Sequence, residues 1–193
     1  MAISLVKGQK IDLTKGNAGL TSLLVGLGWD PVKRGFFQRT PNIDCDASVL
    51  MLNQQGRLER QEDVVYFGHL ASSCGSVRHT GDNITGEGDG DDEQIIVTLN
   101  QVPDRIHRLL FVVNIYQCVE RKQDFGMIQN AFIRMVDQSK RQELAHFNLS
   151  EDYAGRTALI PGEIYRHNGE WKFNALGQAT NDRSLSEIAQ RYT

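Results

Sequence analysis

Short apolar segments rich in β-branched and large side chains dominate the chain, and turn residues separate them. Such segments are typical of strands rather than of helices. The clearest ones lie at residues 22–29, 47–53, 63–67, 94–99 and 109–117, and the pattern continues at residues 132–137, 144–149 and 158–166. Many short strands with regular turns predict a mainly β fold, a β-sandwich of two sheets.

Signals for helices are few. Ser184 and Glu187 have the spacing of a capping box, which predicts a short helix at the C-terminus. Residues 124–130 are a second candidate helical piece. Asn168-Gly169 suits a type I′ turn and predicts a hairpin, because apolar alternation resumes at Trp171. We therefore expect a sandwich with a few short helices.

Length and composition predict one cytoplasmic domain. The 193 residues fit a single domain over residues 1–193 with enough apolar side chains, 40%, for a core. No apolar run reaches the ~18 residues of a membrane span, and the start lacks the pattern of a secretory signal. Three scattered cysteines favour reduced thiols. No basic stripe interleaved with aromatics is present, so no nucleic-acid partner is expected.

One acidic run stands apart from this scaffold. Residues 81–93, GDNITGEGDGDDE, hold six carboxylates and four glycines but no Lys, Arg or His. The whole chain has 24 acids and 21 bases, so without these six the remaining 18 acids leave a net charge of +3. Clustered carboxylates repel one another unless they are spread out in water or surround a cation. Oxygen ligands without Cys or His suit a hard ion, Ca²⁺ or Mg²⁺. A solvated acidic loop is the alternative.

A second group of oxygen side chains precedes an apolar strand. In an extended chain Asp44, Asp46 and Ser48 point to one face. They are candidates for the other half of a metal shell, because Ca²⁺ takes six to eight oxygens. Asp30, at the end of another predicted strand, is a weaker candidate. For His79, three residues before Asp82, an ordinary surface hydrogen bond is the favoured interpretation, and support of a metal ligand from outside the coordination shell is the alternative.

Three known motifs come near these residues without matching. An EF-hand starting at Asp82 would need a side-chain oxygen where Ile84 stands and glycine where Glu87 stands. The glycine-aspartate repeat of calcium-binding β-helices needs several copies, and only one is present. The aspartyl phosphatase motif places its nucleophile after an apolar strand, whereas Asp44 precedes one.

Several segments together, in the same order along nearly the whole chain, resemble the TerD family of tellurium-resistance and general stress proteins. They are LVGLGWD at residues 24–30, DCDAS at 44–48, GSVRHTGDN at 75–83, GEGDGDDE at 86–93, DFGMIQNAFIRMVD at 124–137 and YRHNGEWKFNALGQ at 165–178. The resemblance implies a bacterial cytoplasmic β-sandwich that binds two Ca²⁺ ions through its acidic loops and has sibling paralogues. The matching motif positions, which the resemblance implies are metal ligands, are Asp44, Asp46, Asp82, Asn83, Thr85, Glu87, Asp91, Asp92 and Glu93. Asp89 falls where the family varies, so we do not expect it to be a ligand.

Three function classes follow. The first is a calcium-dependent stress protein without enzymatic activity that acts through protein partners, including paralogues. The second is a metal-dependent enzyme, such as a phosphoesterase, using the same acids; the sequence singles out no base or nucleophile for it. The third is a calcium-bridged membrane-surface protein. That class needs apolar or basic side chains at the loop tips, and Ile84 is the only apolar residue of the acidic run, which has no basic residue.

Overall fold

Two six-stranded sheets face each other in the computed structural model, which describes residues 2–17, 19–32, 43–81, 90–149 and 151–193. The first sheet has the order β1 (Ile3–Leu5), β10 (Gln142–Asn148), β9 (Ile128–Asp137), β3 (Ser22–Pro31), β7 (Glu93–Thr98) and β6 (Val77–His79). The second has the order β2 (Lys10–Asp12), β12 (Glu170–Thr180), β11 (Ala158–His167), β8 (Arg108–Ile115), β4 (Cys45–Leu52) and β5 (Val64–Val65). The predicted β-sandwich is confirmed. Each sheet ends on both sides in a strand of two or three residues.

The alternation of side chains along β4 shows how the core is built. Ala47, Val49 and Met51 are fully buried in the core between the two sheets. Leu50 and Leu52 belong to a second apolar cluster, and by alternation they lie on the outer face of the same sheet. The second sheet is therefore covered by apolar contacts on both faces.

The C-terminal helix provides the outer cover. Helix α2 (Leu185–Gln190) begins after Ser184, whose hydroxyl accepts a hydrogen bond from the backbone N–H of Glu187 at 3.2 Å, as the capping spacing predicts. Ile188 has no exposed surface. It packs in the cluster formed by Leu50, Leu52, Leu110, Val112, Ala158 and Ile160.

Two local predictions have different outcomes. The Asn168-Gly169 turn is confirmed: both residues have positive φ, 52° and 80°, and they join β11 to β12. The helical piece predicted over residues 124–130 is confirmed only in part. A 3-10 helix forms at Phe125–Met127, and β9 starts at Ile128 because it pairs with β3. A short helix that was not predicted, α1 (Cys118–Arg121), follows β8. No helix in the described part of the chain is long and apolar enough to cross a membrane.

The tight turn between β9 and β10 depends on a buried carboxylate. Asp137 Oδ1 accepts hydrogen bonds from the hydroxyl and the amide of Ser139, at 2.6 and 2.9 Å, and from the amide of Lys140 at 3.2 Å. The hydroxyl of Ser139 and these N–H groups stabilise the charged form. They lower the pKa of Asp137 below its ordinary value, although burial opposes them.

We expect Asp137→Asn to lower the free energy of unfolding at pH 7 by about 1 kcal/mol, because charge-assisted hydrogen bonds become neutral ones. A carboxylate whose folded pKa is lowered stabilises the protein above its unfolded pKa, and that contribution disappears as pH falls through the folded pKa. The difference between wild type and variant should therefore shrink on acidification. Urea denaturation at a series of pH values would measure it, with Asp104→Asn, at a fully exposed carboxylate, as control. A constant difference across that pH range would contradict this account.

Candidate metal centre

Six of the predicted ligands lie at one end of the sandwich, where β3 ends and β4 and β7 begin. We call this group the acidic end: Asp30, Asp44, Asp46, Asp91, Asp92 and Glu93. They come from three separate stretches of chain, and antiparallel pairing of β3 with β7 brings two of those stretches together. The other predicted ligands, Asp82, Asn83, Thr85 and Glu87, lie outside the described residues, as does Asp89.

Glu93 connects the two sheets at this end. It follows the same alternation as Ile95 and Val97 of the core and is only 4% exposed. Its Oε2 accepts a hydrogen bond from the backbone N–H of Ala47 in the opposite sheet, at 2.5 Å. The same oxygen lies 3.2 Å from Nε2 of His79. These two contacts fix the Glu93 carboxylate at the end of the core, between the two sheets.

Asp92 experiences the charges around it. Burial raises its pKa above the ordinary value, although its Oδ2 accepts a hydrogen bond from the backbone N–H of Trp29 at 2.7 Å. The negative charges of Asp30, Glu93 and Asp91 raise this pKa further. The neighbouring acids therefore disfavour ionisation of Asp92, and a cation would relieve that cost.

The pKa of the Cys45 thiol responds to several of the same acidic side chains. Its thiol points into the core, and burial raises its pKa well above the usual value. The negative charges that add to this effect are those of Asp46, Glu93, Asp44 and Asp92. A thiol in this environment stays protonated, so Cys45 serves as a packing residue and not as a nucleophile.

Asp91 has a different surrounding. Its two oxygens accept hydrogen bonds from Nε and Nη2 of Arg134, at 2.6 and 3.0 Å, and Oδ2 accepts another from Gln94 at 3.1 Å. The carboxylate lies directly against Gly26 of β3, where a Cβ atom would overlap it. Gly26 alternates with core residues, so this ion pair is on the outer face of the first sheet.

The remaining acids are closer to solvent. Asp30 accepts a hydrogen bond from the Asn130 amide at 2.9 Å. Asp44 lies 3.5 Å from Nη1 of Arg121. Asp46 stands opposite Asn114 of β8 and, by alternation with the core residues of β4, points to the outer face of the second sheet. Asp46 and Asp91 therefore face opposite sides of the sandwich and do not share one ion.

The donor set fits a hard cation, although the described residues do not complete a shell. In residues 2–17, 19–32, 43–81, 90–149 and 151–193, no three His, Cys, Asp or Glu side chains converge closely enough to hold an ion alone. Within the same ranges no lysine or arginine pairs with Asp92 or Glu93. Their negative charge is thus unbalanced by the described bases, and oxygen donors of this kind favour Ca²⁺ or Mg²⁺.

The environments of two residues at this end were not predicted. His79 was expected at the surface but is buried, with 4% of the residue exposed, because Val77 and His79 alternate toward the core. The three residues of β6 are too few for that alternation to be recognised in the sequence. Arg134 carries no comparable signal, since its pairing with Asp91 depends on the register of β9 against β3.

Comparisons with known proteins agree with this architecture. The family model described as the TerD domain matches residues 1–192. The chain is 61% identical to stress response protein SCP2 of Bacillus subtilis (strain 168), over 100% of both chains. It is 44% identical to tellurium resistance protein TerD of Serratia marcescens, covering 98% of this chain and 97% of that protein. A crystal structure of a TerD homologue from Streptomyces coelicolor A3(2) has the same fold, with a TM-score of 0.69 and 22% identity over 91% of this chain and 99% of that one.

Proposed function

Because the chain belongs to the TerD family of stress-response and tellurium-resistance proteins, we propose that it is a calcium-binding cytoplasmic member of that family. It binds about two Ca²⁺ ions through the acidic end together with the acidic run. It acts through protein partners that recognise the calcium-loaded form, and these include related proteins of the same family.

The gathering of carboxylates from three stretches of chain carries this proposal. Asp92 and Glu93 are held by backbone N–H groups of Trp29 and Ala47 while their charges remain unbalanced among the described residues. Holding like charges together is unfavourable unless a cation is bound. The cost is recovered as binding free energy, which supports a site built for a divalent ion.

Each acid has a stated role in the proposal. The direct oxygen ligands are Asp30, Asp44, Asp46, Asp92 and Glu93, together with Asp82, Asn83, Thr85 and Glu87. Asp91 was predicted as a ligand as well. Because both of its oxygens hold Arg134, we expect it to fix the start of β7 and to act on the ions through its neighbours.

Two features support the finer parts of the proposal. Cys45, Cys74 and Cys118 are free thiols, as is usual in a reducing compartment. Tyr116, 39% exposed, lies next to Asp44, whose carbonyl accepts a hydrogen bond from the Tyr116 amide, and Val119, 54% exposed, follows three residues later in α1. This apolar surface beside a calcium ligand suits a protein partner.

A binding role is favoured over a metal-dependent enzyme. The thiol closest to the acids, Cys45, is buried with a raised pKa. The imidazole in contact with them, His79, is buried with both ring nitrogens engaged. Neither group is available to a substrate as nucleophile or base, so we propose no catalytic activity.

Thermal melting of the purified protein with EDTA, with Ca²⁺ and with Mg²⁺ tests the proposal, and calorimetry gives the stoichiometry. We expect a large rise in Tm with Ca²⁺ alone, at about two ions per chain, because the ions bind the folded state and not the unfolded one. A Tm that does not respond to Ca²⁺ would mean that the acidic run is only solvated, and it would overturn the calcium proposal.

A further inference from the structure

We propose that His79 is a positioning residue for calcium, because one imidazole ring contacts both ends of the acidic run. This inference rests on the proposed calcium-binding function and extends it to a residue outside the ligand set. The ring lies 3.2 Å from Glu93, the last residue of the run, and accepts a hydrogen bond from Gly81, the first. The His79 side chain has no exposed surface.

The hydrogen bonds determine which ring nitrogen carries the proton. The Gly81 backbone N–H donates to Nδ1 at 3.0 Å, so Nδ1 must hold a lone pair. The proton of the neutral ring is therefore on Nε2, which donates it to Oε2 of Glu93. A neutral donor orients the carboxylate and leaves its negative charge for a cation, as outer-shell partners of metal ligands do.

The position of His79 in β6 explains why one side chain can reach both ends. The strand pairs with β7, with His79 opposite Ile95, two residues beyond Glu93. Gly81, two residues after His79, has a φ of +98°, a conformation that favours glycine, and the turn directs its N–H back to the ring. Gly81 and Glu93 are thereby tied to one ring before any ion binds, which lowers the entropy lost on binding.

Two substitutions separate the two contacts. In His79→Asn the amide oxygen takes the place of Nδ1, so the bond from Gly81 is kept and the donor to Glu93 is lost. In His79→Gln the amide nitrogen takes the place of Nε2, so Glu93 keeps its donor. We expect His79→Asn to lose at least tenfold in calcium affinity and His79→Gln to lose clearly less, measured by titration calorimetry.

A control separates positioning from general destabilisation. Asp63→Asn weakens a pair between buried Asp63 and Arg105, which is bidentate at 2.6 and 2.7 Å and includes no residue of the acidic end. We expect that variant to lose stability without losing calcium affinity. A calcium affinity of His79→Asn equal to that of wild type, in folded protein, would overturn the inference and leave the proposed function standing.

Two measurements in EDTA test the contacts without calcium. The ¹⁵N spectrum of the wild-type ring should show the proton on Nε2, and the Gly81 amide should exchange faster with solvent in His79→Gln than in His79→Asn. A proton on Nδ1, or equal exchange rates, would overturn the inference. A wild-type protein with these signatures but without calcium binding would overturn the proposed function, and the claim on calcium affinity with it.

Discussion

Glu93→Gln will abolish most of the stabilisation that calcium gives to the protein. A ligand present at 1,000 times its Kd stabilises the folded state by about 4 kcal/mol. Glu93 is buried at the junction of the two sheets and is held through one oxygen by Ala47 and His79. Glutamine keeps an oxygen for those donors but removes the charge that attracts the ion. Melting in Ca²⁺ and in EDTA measures the difference directly.

The matched control is Glu163→Gln. Glu163 is also buried, 8% exposed, and accepts a hydrogen bond from Asn174 at 3.0 Å, but it belongs to β11. That variant should keep the full calcium response. In EDTA we expect Glu93→Gln to change the free energy of unfolding little, because relief of repulsion with Asp92 offsets weaker hydrogen bonds. A wild-type calcium response in Glu93→Gln would remove Glu93 from the site.

Ile188→Asp should have the largest effect on stability in the absence of calcium. Ile188 is fully buried under α2, against the outer face of the second sheet. The substitution removes about 2 kcal/mol of apolar burial and places an unpaired carboxylate in an apolar cluster. We expect a loss of at least about 4 kcal/mol, a large share of the 5–15 kcal/mol typical of a domain. Urea denaturation would measure it.

Ile188→Val is the control, because it removes one methylene and should cost about 1 kcal/mol. Undocking of α2 by Ile188→Asp would also uncover Leu50, Leu52 and Val112, so binding of a hydrophobic dye should rise. A loss below about 1 kcal/mol in Ile188→Asp would show that α2 does not cover this face in solution.

The sequence predicts the long strands well and the short ones poorly. β3, β4, β7 and β8 contribute to the core, and their continuous apolar runs identify them within a few residues. β1, β2 and β6 have three residues each, too few for a periodic signal. Pairing with longer neighbours makes them strands, and that pairing is a property of the fold.

In the candidate site, too, some features follow from the local sequence and others from tertiary contacts. Asp44, Asp46, Asp92 and Glu93 could be placed at a sheet end from their position beside apolar strands. The partner of Asp91 could not, because Arg134 is 43 residues away in sequence and meets it only through the β3–β9 register. A charge pattern predicts where acids gather. Which of them meets a base depends on tertiary contacts.

The length of the edge strands has a consequence for how copies of this protein can associate. An exposed strand can recruit another chain by extending the sheet, and short edges offer few unpaired backbone groups for that. Here all four edges have two or three residues. Continuous sheet growth between neighbouring molecules is therefore disfavoured even at high concentration. Contacts between copies are then expected to use side chains rather than backbone pairing at the sheet edges.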